Sequence, residues 1–141
     1  MIDRTATARY EGLGKAGKGH VSTQSGVLSD QPYGFGTRFE NEAGTNPEEL
    51  VAAAHAACFT MALSFALAKA GHADGRLDTS AKVTLDKDGD GFKVSKSALT
   101  LTASVPGIDE AEFQRIAAEA KAGCPISKLF NAEITLAATL S

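Results

Sequence analysis

TNPEELVAAAHAACFTMALSFALAK, residues 45–69, is the stretch that decides the fold. Asn46 can cap a helix, Pro47 suits the first helical position, and Glu48 and Glu49 favour the positive end of the helix dipole. Glu49 follows Asn46 by three residues, the spacing of a capping box. From there to Lys69 the run is apolar nearly all round, and Gly71 ends it. A helix without a polar face is buried on most sides. In a chain of 141 residues, a second subunit would help to cover it.

Outward from this helix the sequence reads as strands. Residues 3–11 and 18–25 flank the glycine-dense turn GLGKAGKG, and 31–40, QPYGFGTRFE, suggest a third strand entered through Pro32 and loosened by Gly34 and Gly36. Residues 76–87 alternate, with Leu77, Thr79, Ala81, Val83 and Leu85 on one face. After the turn DKDGDG, residues 92–105 are extended, and a shift in apolar parity between Val94 and Leu99 predicts a bulge near Lys96. Asp109 and Glu112 are spaced as cap and reciprocal partner for a second helix with Phe113, Ile116, Ala117 and Ala120 inward. Gly123 ends it, PISKLF forms a short turn or helix, and AEITLAATL closes the chain as a strand. This segregation of strands and helices implies a single α+β domain over residues 1–141 with mainly antiparallel sheet.

Composition narrows the function. Net charge is −3 and the basic residues are scattered, so nucleic acid is not an expected partner. MIDRTATARYEG lacks an apolar stretch of signal length, and the longest apolar run reads as too short and too interrupted to span a bilayer. A cytoplasmic protein without a membrane partner is expected. Two motifs look chemical and are better read as turns. Gly12-Leu13-Gly14-Lys15-Ala16-Gly17 matches a dinucleotide fingerprint, yet a strand-like segment follows where a helix is required. Asp86, Asp88, Asp90 and Gly91 begin a calcium-loop pattern whose closing position falls on Ser97 rather than Glu. His20, His55 and His72 show no ligand spacing, so no metal is expected. His55 and Cys58 are three apart and could share a helix face, but a core or capping histidine is the plainer reading.

Cys58 and Cys124 are the only cysteines. Their 66-residue separation excludes a local C-x-x-C pair, so a fold must bring them together if they act together. In the cytoplasm a disulfide between them would be transient and catalytic rather than structural, and the plain alternative is two small buried hydrophobes. A reactive thiol must ionise, which needs a helix N-terminus or a nearby cation. Arg38 precedes the long helix and can supply that charge, with Glu48 or Glu49 to hold it.

QPYGFGTRFE, GTNPEELVAAAHAACFTMALS, VPGID and AKAGCPISKLFNAEITL together resemble the osmotically inducible protein C (OsmC) family, related to the organic hydroperoxide resistance proteins. The similarity runs from about Ala6 to Leu140. It implies antiparallel sheets wrapped around a buried central helix in an intertwined homodimer, with two active sites near the subunit interface. It implies a thiol peroxidase that reduces organic hydroperoxides, and hydrogen peroxide less well, without a cofactor. Cys58 in HAACF matches the peroxide-reacting cysteine and Cys124 in AGCP the resolving cysteine of a Cys58–Cys124 disulfide. Arg38 in TRFE matches the arginine of the OsmC branch, and Glu48 matches its acid, with Glu49 as the alternative. An external dithiol, of lipoyl or small-molecule type, is the implied reductant. Phe59, Met61, Phe35 and Phe39 could line the approach for an organic substrate, or simply pack. The competing functions are a redox-sensing or binding protein that uses the same pair without turnover, and a hydrolase or transferase built on Cys58 and His55.

One geometric check bears on the site. Ten residues of unbroken helix rise roughly 15 Å. Either the helix breaks near Ala53–His55, which would put Cys58 in a first turn, or the acid and thiol of one site come from different subunits. The break is the expectation.

Overall fold

The computed structural model describes residues 1–141. The chain forms two compact units, Met1–Leu50 and Val51–Ser141, with the boundary inside one long helix.

In the first unit, β1 (Ala6–Glu11), β2 (Lys18–Thr23) and β3 (Gln31–Tyr33) form an antiparallel sheet in that order. The expected turn between the first two strands is a 3-10 turn, Gly14–Ala16, entered through Gly12 and Gly14 at positive φ. Tyr10, Gly19 and Tyr33 lie in register across the sheet. A Cβ on Gly19 would meet the Tyr33 ring at 2.6 Å and the Tyr10 ring at 2.9 Å, so only glycine lets the two rings close over the middle strand.

The third strand stops earlier than expected. Residues 35–39 form a short helix, α1 (Phe35–Phe39), not the end of a strand. Thr37 causes the difference: its hydroxyl accepts the Gly34 N–H at 2.9 Å and donates to the Gly34 carbonyl at 3.1 Å. This local bonding competes with a strand ladder. Arg38 therefore sits on a helical turn.

Helix α2 (Pro47–Lys69) begins as its sequence predicts, with Asn46 Oδ1 accepting the Glu49 N–H at 2.8 Å. The Asn46 amide also donates to the Thr37 carbonyl at 2.9 Å, which ties α1 to the start of α2. The expected break near Ala53–His55 does not occur: α2 is one continuous helix of 23 residues. No glycine or proline interrupts the alanine-rich run, so nothing in the backbone opposes the helix. The expectation that this run cannot span a bilayer is also corrected, because α2 is long and apolar enough to do so by length and composition. Nor is it buried on most sides within the chain: only 22% of its apolar stretch is covered. The covered residues are His55, Phe59, Leu63 and Leu67, one stripe at every fourth position.

In the second unit, β4 (Arg76–Asp88) and β5 (Gly91–Ser104) form a long antiparallel hairpin, and the DKDGDG segment is its turn. Lys96 pairs with Thr84 and Val94 with Leu85, so Ser95 is the extra residue of a bulge beside the predicted position. Strand β6 (Glu133–Leu140) pairs with β5 in parallel, the one parallel pairing in the molecule. Helix α3 (Glu110–Gly123) turns Phe113, Ile116, Ala117 and Ala120 inward, as its spacing predicts. Asp109 caps it by accepting the Ala111 N–H, but Glu112 does not reach back; it pairs with His72 at 3.4 Å. Helix α4 (Pro125–Leu129) follows at once. The core joins Phe59, Leu63 and Leu67 to Leu99, Leu101 and Ala103 of β5, the inner face of α3, and Cys124.

Phe113→Ala is expected to destabilise the protein by about 3–5 kcal/mol, because it empties a fully buried aromatic site. Asp109→Ala should cost about 1 kcal/mol, the value of one N-cap. Urea unfolding of both variants checks the difference, and equal losses would contradict this division between core and cap.

Candidate active site

The fold brings Cys58 and Cys124 together. Both are free thiols, near enough that each shifts the other's proton affinity. Cys58 projects from the middle of α2, half-buried, one residue before the fully buried Phe59. Cys124 is fully buried and occupies the junction where α3 ends and α4 begins. Pro125 at the first position of α4 enforces that junction, because it cannot extend the preceding helix.

The two thiols are held differently. Burial pushes the Cys58 thiol up, and the neighbouring Cys124 adds to this against the Ile126 amide. A mid-helix position offers no N-terminal dipole, which removes the expected first-turn activation of Cys58. Burial alone would also raise Cys124. The Cys58 thiol, the amide and hydroxyl of Ser127 and the amide of Ile126 outweigh it and hold Cys124 below the ordinary thiol value. Within Val51–Ser141, the groups acting on Cys58 include no cation.

His55 does not serve Cys58 as a base. It is fully buried, with its Nδ1 2.6 Å from Ser97 Oγ and its Nε2 2.8 Å from Ser127 Oγ. The Phe130 ring packs edge-on against it at 4.7 Å. Burial lowers its pKa, so the imidazole is neutral. Sequence reasoning missed both serines. Ser97 had a visible signal: it shares the phase of Leu99, Leu101 and Ala103 on β5, a polar residue in a buried row. Ser127 had none beyond its place in the turn after Cys124.

In the first unit, Arg38 and Glu48 form the predicted pair. Arg38 Nη2 lies 2.6 Å from Glu48 Oε1, and Nε lies 3.1 Å from Oε2, a two-pronged contact. Glu49 is not the holder: it accepts from the Thr45 hydroxyl at 3.0 Å. Arg38 lines a cavity of about 370 Å³ with Tyr10, Lys15, Tyr33, Phe35 and Phe39. Of the four residues considered for a substrate approach, Phe35 and Phe39 line this cavity, Phe59 is core, and Met61 is exposed. No cluster of three or more His, Cys, Asp or Glu side chains suited to a metal ion is present.

A reduced thiol pair, one member in mid-helix and the other at a helix junction, on an α+β scaffold, defines a two-cysteine thiol protein. The OsmC-like protein family matches residues 39–139. The chain is 57% identical to the Peroxiredoxin OsmC of Escherichia coli strain K12 over 135 residues, which is 96% of this chain and 94% of that protein. It is 31% identical to the organic hydroperoxide resistance protein OhrB of Bacillus subtilis strain 168 over 111 residues, 78% of this chain and 79% of the relative. The crystal structure of that protein superposes with a TM-score of 0.71 at 30% identity, covering 99% of this chain and 98% of the other. This chain belongs to the OsmC-like family.

The neutral His55 has a consequence for stability. Its folded pKa lies below its unfolded value of about 6.5, so the unfolded state binds more protons between the two. The contribution is complete above about pH 6.5 and is lost as pH falls below it. Denaturation midpoints at pH 7.5 and pH 5 should therefore differ more in the parent protein than in His55→Gln. An identical pH response in the two proteins would contradict a buried neutral histidine.

Proposed function

We propose that the chain is a two-cysteine hydroperoxide reductase that works as a homodimer and prefers organic hydroperoxides to hydrogen peroxide. The observation that carries this reading is the neighbouring pair of free thiols, drawn together from 66 residues apart. The relatives, a peroxiredoxin and an organic hydroperoxide resistance protein, support it.

The chemistry runs in three steps. The Cys58 thiolate attacks one peroxide oxygen, forming an S–O bond as the O–O bond breaks. The departing alkoxide takes a proton and leaves as an alcohol, and Cys58 is oxidised to a sulfenic acid. Cys124 attacks that sulfur, displacing hydroxide and forming the Cys58–Cys124 disulfide. An external dithiol, for which a lipoyl type is suited, restores both thiols by exchange. The whole chain acts as one functional domain, in the cytoplasm, where its thiols stay reduced between turnovers.

Arg38 supplies the positive charge that Cys58 otherwise lacks. Glu48 fixes the guanidinium, whose charge stabilises first the thiolate and then the negative oxygen that develops as the O–O bond breaks. An unbroken helix keeps its residues 48 and 58 roughly 15 Å apart along the axis. The Arg38–Glu48 pair that serves a given Cys58 therefore belongs to the second protomer. Two observations support the dimer and the substrate. Met61 and Phe65 on α2 are 61% and 69% exposed, an apolar face that a second copy covers rather than lipid. The cavity beside Arg38 is walled by aromatic rings and has the size of a small-molecule site, suited to an alkyl or aryl hydroperoxide. Nucleic acid has no part in this reading.

Cys58→Ser should abolish peroxide consumption. Cys124→Ser should support one turnover and leave a sulfenic acid that dimedone traps. Arg38→Met should slow the peroxide step by about 10²–10³-fold. Steady-state turnover with a dithiol, faster for cumene hydroperoxide than for hydrogen peroxide, separates an enzyme from a redox sensor. Equal loss in both cysteine variants would contradict the assigned roles.

A further inference from the structure

The glycine-dense turn between β1 and β2 has no part in the three steps above, yet it carries Lys15 into the wall of the aromatic cavity. Gly12 and Gly14 enter the turn at φ 70° and 75°, a region that favours glycine. The Tyr10 hydroxyl donates to the Gly14 carbonyl at 2.9 Å, and the Gly17 N–H donates to the same carbonyl at 3.2 Å. A Cβ on Gly17 would collide with the Tyr10 ring and the Gly12 carbonyl, so only glycine lets the turn close against that ring. The backbone is thus held on both sides of Lys15. Its ammonium lies over the Phe35 ring, with Nζ 4.6 Å from the ring centre. Phe35 packs on Phe39 with ring centres 5.0 Å apart, and the Arg38 guanidinium stands over Phe39 at 5.5 Å. The two cations of the cavity are unequal. Arg38 turns Nε and Nη2 to Glu48, so its charge is countered and its fork is occupied. Lys15 is in no ion pair, and no carboxylate lines the cavity. It also borders a second cavity that Glu42 lines, without pairing with that side chain.

We propose that Lys15 is a specificity-determining residue: its ammonium binds a carboxylate on the substrate, so the cavity selects hydroperoxides that carry a carboxylate over neutral ones of the same shape. The proposal rests on the reading of this cavity as the hydroperoxide site. A ring face attracts a cation without supplying a counter-charge, so the Lys15 charge is still unmatched. An ammonium has three donors, and a single ring face leaves donors for a carboxylate. Such a bond between charged groups is roughly twice as strong as one between neutral groups. Arg38 is the poorer choice for that carboxylate, because Glu48 already takes its two-pronged contact. The division of labour follows from this inequality. The guanidinium held by Glu48 serves the O–O end of the substrate, the aromatic walls take its hydrocarbon part, and Lys15 takes an acidic end. A single arene with the hydroperoxide and the carboxylate at opposite ends has that form. Lys15 lies at the exposed side of the cavity, where its field also favours the approach of an anion.

The test uses the reduced full chain with a dithiol and compares two hydroperoxides that differ in one group, cumene hydroperoxide and its para-carboxylate. In the parent, kcat/KM should be higher for the carboxylate. In Lys15→Met the ratio of the two values should fall about tenfold, the loss expected for one hydrogen bond between charged groups. The fall should come from the KM of the carboxylate. The ratio cancels any change common to both substrates, so a turn that is merely disturbed leaves it where it was. Lys15→Arg, which keeps the charge, should restore most of the preference. Added salt should narrow the ratio in the parent far more than in Lys15→Met. A parent that treats the two substrates alike, or a preference that survives in Lys15→Met, would overturn the proposal. If the parent consumes neither hydroperoxide, the peroxidase reading fails instead. The subsite is then judged by calorimetric binding of 4-isopropylbenzoate, which has the carboxylate and the arene but no O–O bond. Affinity weakened about tenfold in Lys15→Met supports the subsite, and an unchanged affinity or no binding to the parent overturns it.

Discussion

The seat of α2 is the constraint on which the second unit depends. Its buried residues, His55, Phe59, Leu63 and Leu67, recur every four positions along a helix that is apolar on other faces too. That stripe packs with β5 and the inner face of α3 in one cluster that includes Cys124. Burying a Phe or Leu side chain contributes about 1.5–3 kcal/mol, and a typical net hydrogen bond about 0.5–1.5. Packing therefore holds the elements in place, and the polar contacts orient the groups that packing has brought near. Cys58 immediately precedes Phe59, so its position on the helix follows from the core. The same contacts that stabilise the unit thus bring its thiol to Cys124.

Much of this was legible because it is local. The start of α2 could be read from Asn46 and Pro47, the inner face of α3 from its 3.6-residue period, and the bulge at Ser95 from a parity shift. The two cysteines and the Arg38–Glu48 pair were legible from residue type and from the family resemblance. What failed depends on competition or on distance. The segment around Arg38 reads as a strand until the Thr37 hydroxyl is seen to satisfy the Gly34 backbone. The break in α2 was inferred from what a site would need, and the alanine-rich backbone does not supply it. The partners of His55 lie 42 and 72 residues away, beyond any local pattern. The parallel pairing of β6 with β5 is likewise a product of topology that the alternation of β6 does not reveal.

The polar cluster explains why the core tolerates a histidine and two serines. A buried polar atom without a partner costs about 1–3 kcal/mol. Here both ring nitrogens are satisfied, and each serine hydroxyl has a ring nitrogen as its partner. The cluster also ties α2, β5 and α4 at one point. Removing any member leaves another unpaired, so the three residues stand or fall together as a unit.

The electrostatics give an order to the proposed cycle. Two adjacent sulfurs cannot both carry charge cheaply, because neighbouring like charges raise each other's proton affinity. Within Val51–Ser141 burial pushes the Cys58 thiol up, while neighbouring donors hold Cys124 below the ordinary thiol value. In the proposed cycle, a guanidinium brought to Cys58 by the second protomer favours its thiolate and readies it for peroxide. Once Cys58 is a neutral sulfenic acid, it no longer opposes an anion on Cys124 by its own charge, and the donors from Ser127 and Ile126 work against burial alone. The second sulfur is therefore released to attack by the oxidation of the first. In that proposed cycle one pair of thiols runs two successive nucleophilic steps because its surroundings are unequal, with neutral dipoles on the buried side and a guanidinium fixed by Glu48 on the other.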